Sequence, residues 1–228
     1  MHAGCRFFRR PDGRLQLGLG ARGWSFDPAS LSLGVRIEPP WERIGSVPLV
    51  AVGGVDAEML ARQLVEQLHR LGRSVALGAG GFDAARAAMA DERAEVVVVP
   101  VDPAMVLHRG LPFDFCTVAI VGRLAGLDQA AERAAGLHAL TAQPDGGVIL
   151  NADDSTALAL VDRVGAPVTL VSEEGLTEAL SAHLAAGGRG VWPQAGLVMV
   201  AEGSHRNEID AGERRPALLT FAAIPLLL

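Results

Sequence analysis

Val47-Pro48-Leu49-Val50-Ala51-Val52-Gly53-Gly54-Val55-Asp56-Ala57-Glu58-Met59 is the stretch whose reading decides the fold. Its first half is a continuous apolar run without polar alternation, the pattern of a strand buried on both faces of a parallel sheet. Gly53-Gly54 ends the run, and Asp56 stands where a helix N-cap belongs. Leu60, Leu64, Leu68 and Leu71 then recur on one helical face, and Gly72 supplies a stop. Buried strand, glycine turn and amphipathic helix in succession make the first half of a βαβ unit.

The same alternation continues downstream. Residues 74–77, 96–99, 117–121, 148–150 and 168–171 read as strands, and 83–90, 129–140, 156–164 and 177–186 read as helices. This order predicts an α/β fold with a mostly parallel sheet, flanking helices and right-handed crossovers. After Gly187 the pattern changes to a C-terminal hairpin, with 190–192 and 197–201 around 193–196, and 218–228 reads as apolar and extended. Residues 1–46 are rich in Gly, Pro and Arg, and alternating segments such as Arg14-Leu15-Gln16-Leu17-Gly18-Leu19 predict short strands or a hairpin. The expected organisation is a β-rich N-terminal segment, 1–46, and an α/β domain, 47–228, whose last part, 187–228, is β-rich.

Composition removes several chemistries. All 20 cationic side chains in the 228 residues are arginine, with neither lysine nor tyrosine present. A phosphate-loop NTPase, a Schiff-base enzyme and a protein kinase each need a lysine. The formal charge of −6 argues against a nucleic-acid partner. The dense basic stretch Arg6, Arg9, Arg10 and Arg14 is diluted by Gly and Pro and reads as a solvated hairpin. Cys5 and Cys116 lack CxxC spacing and read as inert thiols in a reducing compartment. Arginines occupy the place of a signal peptide's apolar stretch, and no apolar run approaches the ~18 residues needed to cross a bilayer. The expectation is a cytoplasmic protein with no membrane partner.

Few residues suggest a site. Gly53-Gly54 lies where open α/β sheets bind ligands, yet Ala57 and Glu58 stand where a phosphate cradle wants a cation and a hydroxyl. A tight structural turn is the competing reading. Gly78-Ala79-Gly80-Gly81 precedes a helix but has Asp83 where a dinucleotide fingerprint wants glycine, which leaves a loop as the alternative. In Asn151-Ala152-Asp153-Asp154-Ser155, either Asp154 or Ser155 caps a helix. The Asn151 amide could instead match donor and acceptor on a purine edge. His2, His69, His108, His138, His183 and His205 show no metal-ligand spacing, and no Gly-x-Ser-x-Gly elbow is present.

Taken in order, these segments resemble the Mur ligase family, and within it the ligase portion of the cyanophycin synthetases. The likeness runs from about Pro39 to the C-terminus. It rests on Pro39-Pro40 before the strand at 47–52, and on Gly110-Leu111-Pro112-Phe113-Asp114-Phe115-Cys116, similar to G-L-G-F-D-x-C. Pro144-Asp145-Gly146-Gly147-Val148-Ile149-Leu150-Asn151-Ala152-Asp153-Asp154 is similar to P-D-G-x-x-V-L-N-A-D-D. Ala182-His183-Leu184-Ala185-Ala186-Gly187-Gly188-Arg189 and Ala223-Ile224-Pro225-Leu226 match the closing segments.

The resemblance implies a P-loop-NTPase-like sheet and a chemistry in which ATP and magnesium convert a carboxylate to an acyl-phosphate that an amine attacks. It also marks what is missing. The family's loop T-G-T-N-G-K-T-T corresponds to residues 52–59, with Ala57 in the lysine's place. The metal-binding glutamate falls on or near Pro100, E-D-H-L is shortened to Leu124-Ala125-Gly126-Leu127, and the lysine preceding P-D-G falls near Ala135. Only Asn151 and Asp153, on the adenine side, survive. The matched region stops where the family's C-terminal domain would start and has no ATP-grasp portion ahead of it. The implied function is a catalytically inactive structural or regulatory subunit, without catalytic residues, metal ligands or cofactor, self-associating or paired with an active ligase. Leu226-Leu227-Leu228 then either meets a partner or packs back on the domain. Two rival expectations are a nucleotide or small-ligand module using Gly53, Gly54, Asn151 and Asp153, and a ligase subunit completed by a partner chain.

Overall fold

In the computed structural model the described residues are 6–9, 15–19, 22–27, 32–36, 47–209 and 217–227; for the first four stretches the description is of backbone pairing. Cys5, Arg10, Arg14, Pro39, Pro40 and Leu228 lie outside the described residues. The chain divides into two compact units, Met1–Val47 and Pro48–Leu228.

The first unit is an antiparallel meander of β1 (Arg6–Arg9), β2 (Leu15–Leu19), β3 (Arg22–Asp27) and β4 (Ser32–Arg36), in that spatial order. Leu17 stands opposite both Phe7 and Trp24, so the alternation of β2 is in register with apolar positions on either side.

The second unit holds a nine-stranded sheet. Its strands are β5 (Leu49–Gly53), β6 (Val75–Leu77), β7 (Val96–Val101), β8 (Cys116–Val121), β9 (Ala142–Asn151), β10 (Val168–Val171), β11 (Arg189–Gln194), β12 (Leu197–Glu202) and β13 (His205–Ile209). They lie in the order β13-β12-β11-β10-β9-β8-β5-β7-β6. Pairing is parallel from β6 to β11 and antiparallel from β11 to β13. The core strands carry continuous apolar sequence because both faces are covered: all five residues of β5 are buried.

The helices are α1 (Ala57–Arg70), α2 (Phe82–Met89), α3 (Pro103–Arg109), α4 (Gln129–Gly136), α5 (Ser155–Leu158), α6 (Glu178–Ala185) and α7 (Leu218–Ala223). Helix α1 buries Leu60, Ala61, Leu64 and Leu68; Leu71 lies just past its end and is exposed, so the apolar stripe is one turn shorter than its spacing predicts. Gly72 adopts φ +77 and ends the helix.

The structure corrects four further readings. The helix expected over 129–140 tightens after α4 into a 3-10 turn at Leu137–Thr141. That expected over 156–164 breaks into α5 and a 3-10 turn at Val161–Arg163. Helix α3 is an element beyond those expected from the sequence: Asp102 accepts the Ala104 N–H at 2.9 Å and Pro103 opens the first turn, both standard start signals. Residues 218–228, expected to be extended, form α7 and a 3-10 turn at Ile224–Leu226. Leu218, Leu219, Ala222 and Ala223 share one helical face, which is buried against Leu60, Leu64, Ile120 and Ile149 of the core. Thr220 Oγ1 accepts from Gln67 Nε2 at 2.9 Å and donates to the Ala217 carbonyl at 2.8 Å, tying α7 to α1. Leu227 is buried in the same cluster, so the apolar C-terminal segment packs back on its own domain through that residue. No helix among the described residues is long and apolar enough to cross a membrane.

The docking of α7 predicts that Leu218→Ala destabilises the protein by about 2–4 kcal/mol, as expected for a buried leucine, measured as a lower urea midpoint at unchanged m-value.

Candidate functional site

The parallel strands end together on one edge of the sheet, where α/β folds place their ligands. Gly53 ends β5, with Gly122 beyond β8 and Asn151 closing β9; Pro100 pairs with Val52 across the β5–β7 ladder. The sequence-predicted positions are thus strung along this edge, and they fall into three groups.

The first group is the turn after β5. Gly54 sits at φ +118, and a side chain there would meet the Arg123 carbonyl at 2.9 Å. The main chain of the turn is engaged: Val55 N–H donates to Arg123 O at 2.8 Å, Ala57 N–H to Gly54 O at 3.3 Å, and Gly53 O accepts from Gly122 N–H at 2.8 Å. Asp56 occupies the N-cap position of α1, as its place in the sequence predicts, but its side chain caps nothing. Its carboxylate lies 3.7 Å from Arg123 Nη2. Ala57 is buried in the apolar core, and Glu58 projects outward to pair with Arg62 at 2.7 Å, one helical turn on.

The second group closes over Gly53. Ala135, fully buried at the end of α4, and His138, fully buried in the 3-10 turn that follows, stand so close that a methyl group on Gly53 would overlap the Ala135 carbonyl and the His138 ring. The carbonyl of Ile120, in β8, is 2.9 Å from His138 Nε2. With the proton placed there, Nδ1 is a bare acceptor; it has no hydrogen-bond partner, and the nearby Ala135 carbonyl cannot donate. Burial pushes the imidazole down to about 4, against the favourable pull of the Ile120 carbonyl. His138 is thus a core histidine satisfied at one nitrogen only.

The third group is Asn151 to Asp154. Asn151 Oδ1 accepts the Asp153 N–H at 2.9 Å. Asp153 accepts from Ser172 Oγ at 2.6 Å and from Glu173 N–H at 2.7 Å, locking the end of β9 to the end of β10. Asp154 is 4% exposed, low enough that any unpaired oxygen would be costly. Its carboxylate takes four main-chain N–H groups: Thr156 at 2.9 Å and Ala157 at 3.1 Å, capping α5, and Leu124 at 2.7 Å and Ala125 at 2.8 Å. Burial would raise its pKa, but the four N–H groups together hold it below the usual carboxylate value. The segment Leu124-Ala125-Gly126-Leu127, matched to the shortened E-D-H-L, is therefore docked by its backbone on Asp154. Of the two capping residues the sequence offers, Asp154 holds the place and Ser155 opens the helix; the reach across to Leu124 has no local signal.

Pro100 is half-buried within β7 and offers no carboxylate; Asp102, two residues on in the chain, caps α3. No group of three His, Cys, Asp or Glu side chains that could hold a metal ion occurs among the described residues. Cys116 is buried, its thiol pushed up to about 11 by burial, and it lies 3.7 Å from the His138 carbonyl and 3.6 Å from Thr141 Oγ1. It is an inert thiol, in keeping with its isolated spacing.

A family profile described as "Domain of unknown function (DUF4938)" matches residues 8–171. The chain belongs to that family. It is also similar to cyanophycin synthetase of Nostoc sp. (22% identity over 203 residues, covering 78% of this chain and 22% of the relative) and of Synechocystis sp. (26% over 184 residues, covering 69% and 21%). This member of the family thus spans about a fifth of the length of those relatives. Among solved structures, it resembles the UDP-N-acetylmuramoylalanyl-D-glutamyl-2,6-diaminopimelate--D-alanyl-D-alanyl ligase of Acinetobacter baumannii (TM-score 0.55, 14% identity, 82% of this chain and 44% of that one). A murein peptide ligase of Psychrobacter arcticus is similar at TM-score 0.51, 14% identity, and the same 82% and 44% coverage. The fold is Mur-ligase-like, as the ordered motifs implied, and the chain is a distant relative of the cyanophycin synthetases.

Two outcomes follow from the buried groups. Between about pH 6.5 and 4 the unfolded chain takes up a proton that native His138 refuses, so the stability held above that window falls with pH by about 3 kcal/mol. Urea denaturation at stepped pH is expected to show this slope, and His138→Leu to flatten it. Asp154→Ala orphans the N–H groups on both sides of the carboxylate and is expected to cost about 3–5 kcal/mol. Hydrogen exchange at Leu124 and Ala125 then accelerates ahead of the core strands.

Proposed function

We propose that this chain is a catalytically silent ligase-like domain, serving as a structural or regulatory subunit by self-association or beside an active ATP-dependent amino-acid ligase. The observation that carries this reading is the turn after β5. A triphosphate cradle needs free N–H groups and a cation at this place. Here the Val55 and Ala57 N–H groups are bonded within the protein, and Asp56 and Glu58 present negative charge at the first turn of α1. Ala57 belongs to the apolar core, so no side chain from that position reaches the edge.

Phosphoryl transfer is catalysed almost entirely by positioning and by charge stabilisation from lysine, arginine and metal. The donor set does not match the one ATP and magnesium need: Asp56 and Glu58, at the start of α1, are engaged with Arg123 and Arg62, and Asn151 and Asp153 are bonded to each other and to the β10 end. Retained scaffold with alanine at 57 and proline at 100, in place of the lysine and the metal-binding glutamate that the resemblance implies, supports a role in assembly. Neither nucleic acid nor membrane enters the proposal, given the net charge of −6.

The full chain, incubated with ATP, magnesium and amino acids, is expected to release no ADP above background. ATP, ADP and adenosine are expected to leave its melting temperature unchanged, whereas real binding at 100 times the dissociation constant adds ~2.7 kcal/mol. Amino-acid-dependent ADP release sinks the proposal, and a nucleotide-dependent shift without turnover replaces it with the binding-module reading.

A further inference from the structure

The strand β13 ends the nine-stranded sheet, and among the described residues no strand pairs with its outer side. All five of its residues, His205-Arg206-Asn207-Glu208-Ile209, are exposed. Natural sheets blunt such edges with bulges, prolines, charged side chains or short length. The opposite edge follows that rule, since β6 is three residues long. Strand β13 is blunted only by two side chains of opposite charge, Arg206 and Glu208; its ladder with β12 runs from Glu202↔His205 to Val198↔Ile209 without a register shift, and it holds no proline.

The parity of the ladder decides which main-chain groups face outward. The β12–β13 connection is a two-residue turn, Gly203-Ser204, with Gly203 at φ +56. Residues flanking such a turn form a hydrogen-bonded pair, and pairs then alternate along the ladder. His205, Asn207 and Ile209 therefore bond to β12, while Arg206 and Glu208 turn their N–H and C=O outward. The other side of β12 agrees: Gly203 N–H donates at 2.9 Å to Gly188 O, toward β11.

We propose that β13 pairs antiparallel with β13 of a second copy of this chain, about a two-fold axis through Asn207. Centring the pairing there sets Arg206 opposite Glu208 of the other copy, and Glu208 opposite its Arg206. Those are the two positions whose main-chain groups point outward, so each cross-strand pair closes two hydrogen bonds. Opposite charges meet in both pairs, whereas a parallel pairing in register would set like against like. Both side chains lie on the sheet face of Met199 and Trp192, with the Arg206 guanidinium 6.0 Å from the Trp192 ring. The result is an isologous dimer with one continuous sheet. This supplies a surface for the self-association in the proposed function, but it rests on the strand alone; a chain that hydrolysed ATP would pair the same way.

Sedimentation equilibrium of the full chain tests it. The wild-type chain is expected to be dimeric. Arg206→Glu sets like charges opposite each other in both pairs and is expected to raise the dimer dissociation constant at least ~10-fold. Glu208→Arg repeats that loss with the opposite sign, and the double variant Arg206→Glu/Glu208→Arg restores the dimer. A monomeric wild-type chain, a dimer indifferent to both single variants, or a double variant as dissociated as the singles overturns the proposal. None of these results bears on ADP release, so the two proposals fail separately.

Discussion

One carboxylate organises the edge of the sheet where the chain would have to do any chemistry. Asp154 is buried, and a buried anion survives only when its oxygens are filled by donors. Two of its donors belong to the helix it caps and two to the segment after β8, about thirty residues earlier in the chain. That segment in turn accepts the Val55 N–H through Arg123 and donates the Gly122 N–H to Gly53. The turn after β5, the end of β8 and the start of α5 are therefore one hydrogen-bonded unit.

The consequence for that edge is closure. Gly53 is pressed by Ala135 and His138, and Gly54 by Arg123, so both glycines are buried in the packing of the turn. Glycine at these positions has a sufficient reason in packing and in the positive φ of Gly54. The alanines at 57 and 135 have one too, since both are enclosed by apolar side chains or backbone.

Much of the fold was legible in the sequence because burial on both faces leaves an unmistakable mark. The run of valines at β7 and the strand at Val168–Val171 need no partner to be recognised. What escaped was short or depended on distant contacts. Helix α3 has only seven residues and was hidden between two strands despite its Asp-Pro start. The leucines near the C-terminus look extended when read one by one, and their helical spacing acquires meaning only once α1 and the sheet supply a surface. The site divides the same way. A cap on α5 is written in local sequence, whereas the second half of Asp154's hydrogen bonding, and the bare Nδ1 of His138, exist only because strands far apart in sequence lie side by side.

The strand order also has a bearing on how the chain acquires its shape during synthesis. Strand β5 is the first of its sheet to emerge, yet both of its neighbours, β7 and β8, come later, and β6 reaches the sheet only through β7. The polypeptide must therefore carry a wholly apolar segment, Leu49–Gly53, with no strand beside it until β7 has left the ribosome and with one side unpaired until residues past Val121 follow. Ladders of such wide sequence separation close slowly and expose sticky surface meanwhile. The early amphipathic helix α1, which lies against β5 and buries Leu60, Leu64 and Leu68, is in place to cover the nascent strand during that wait.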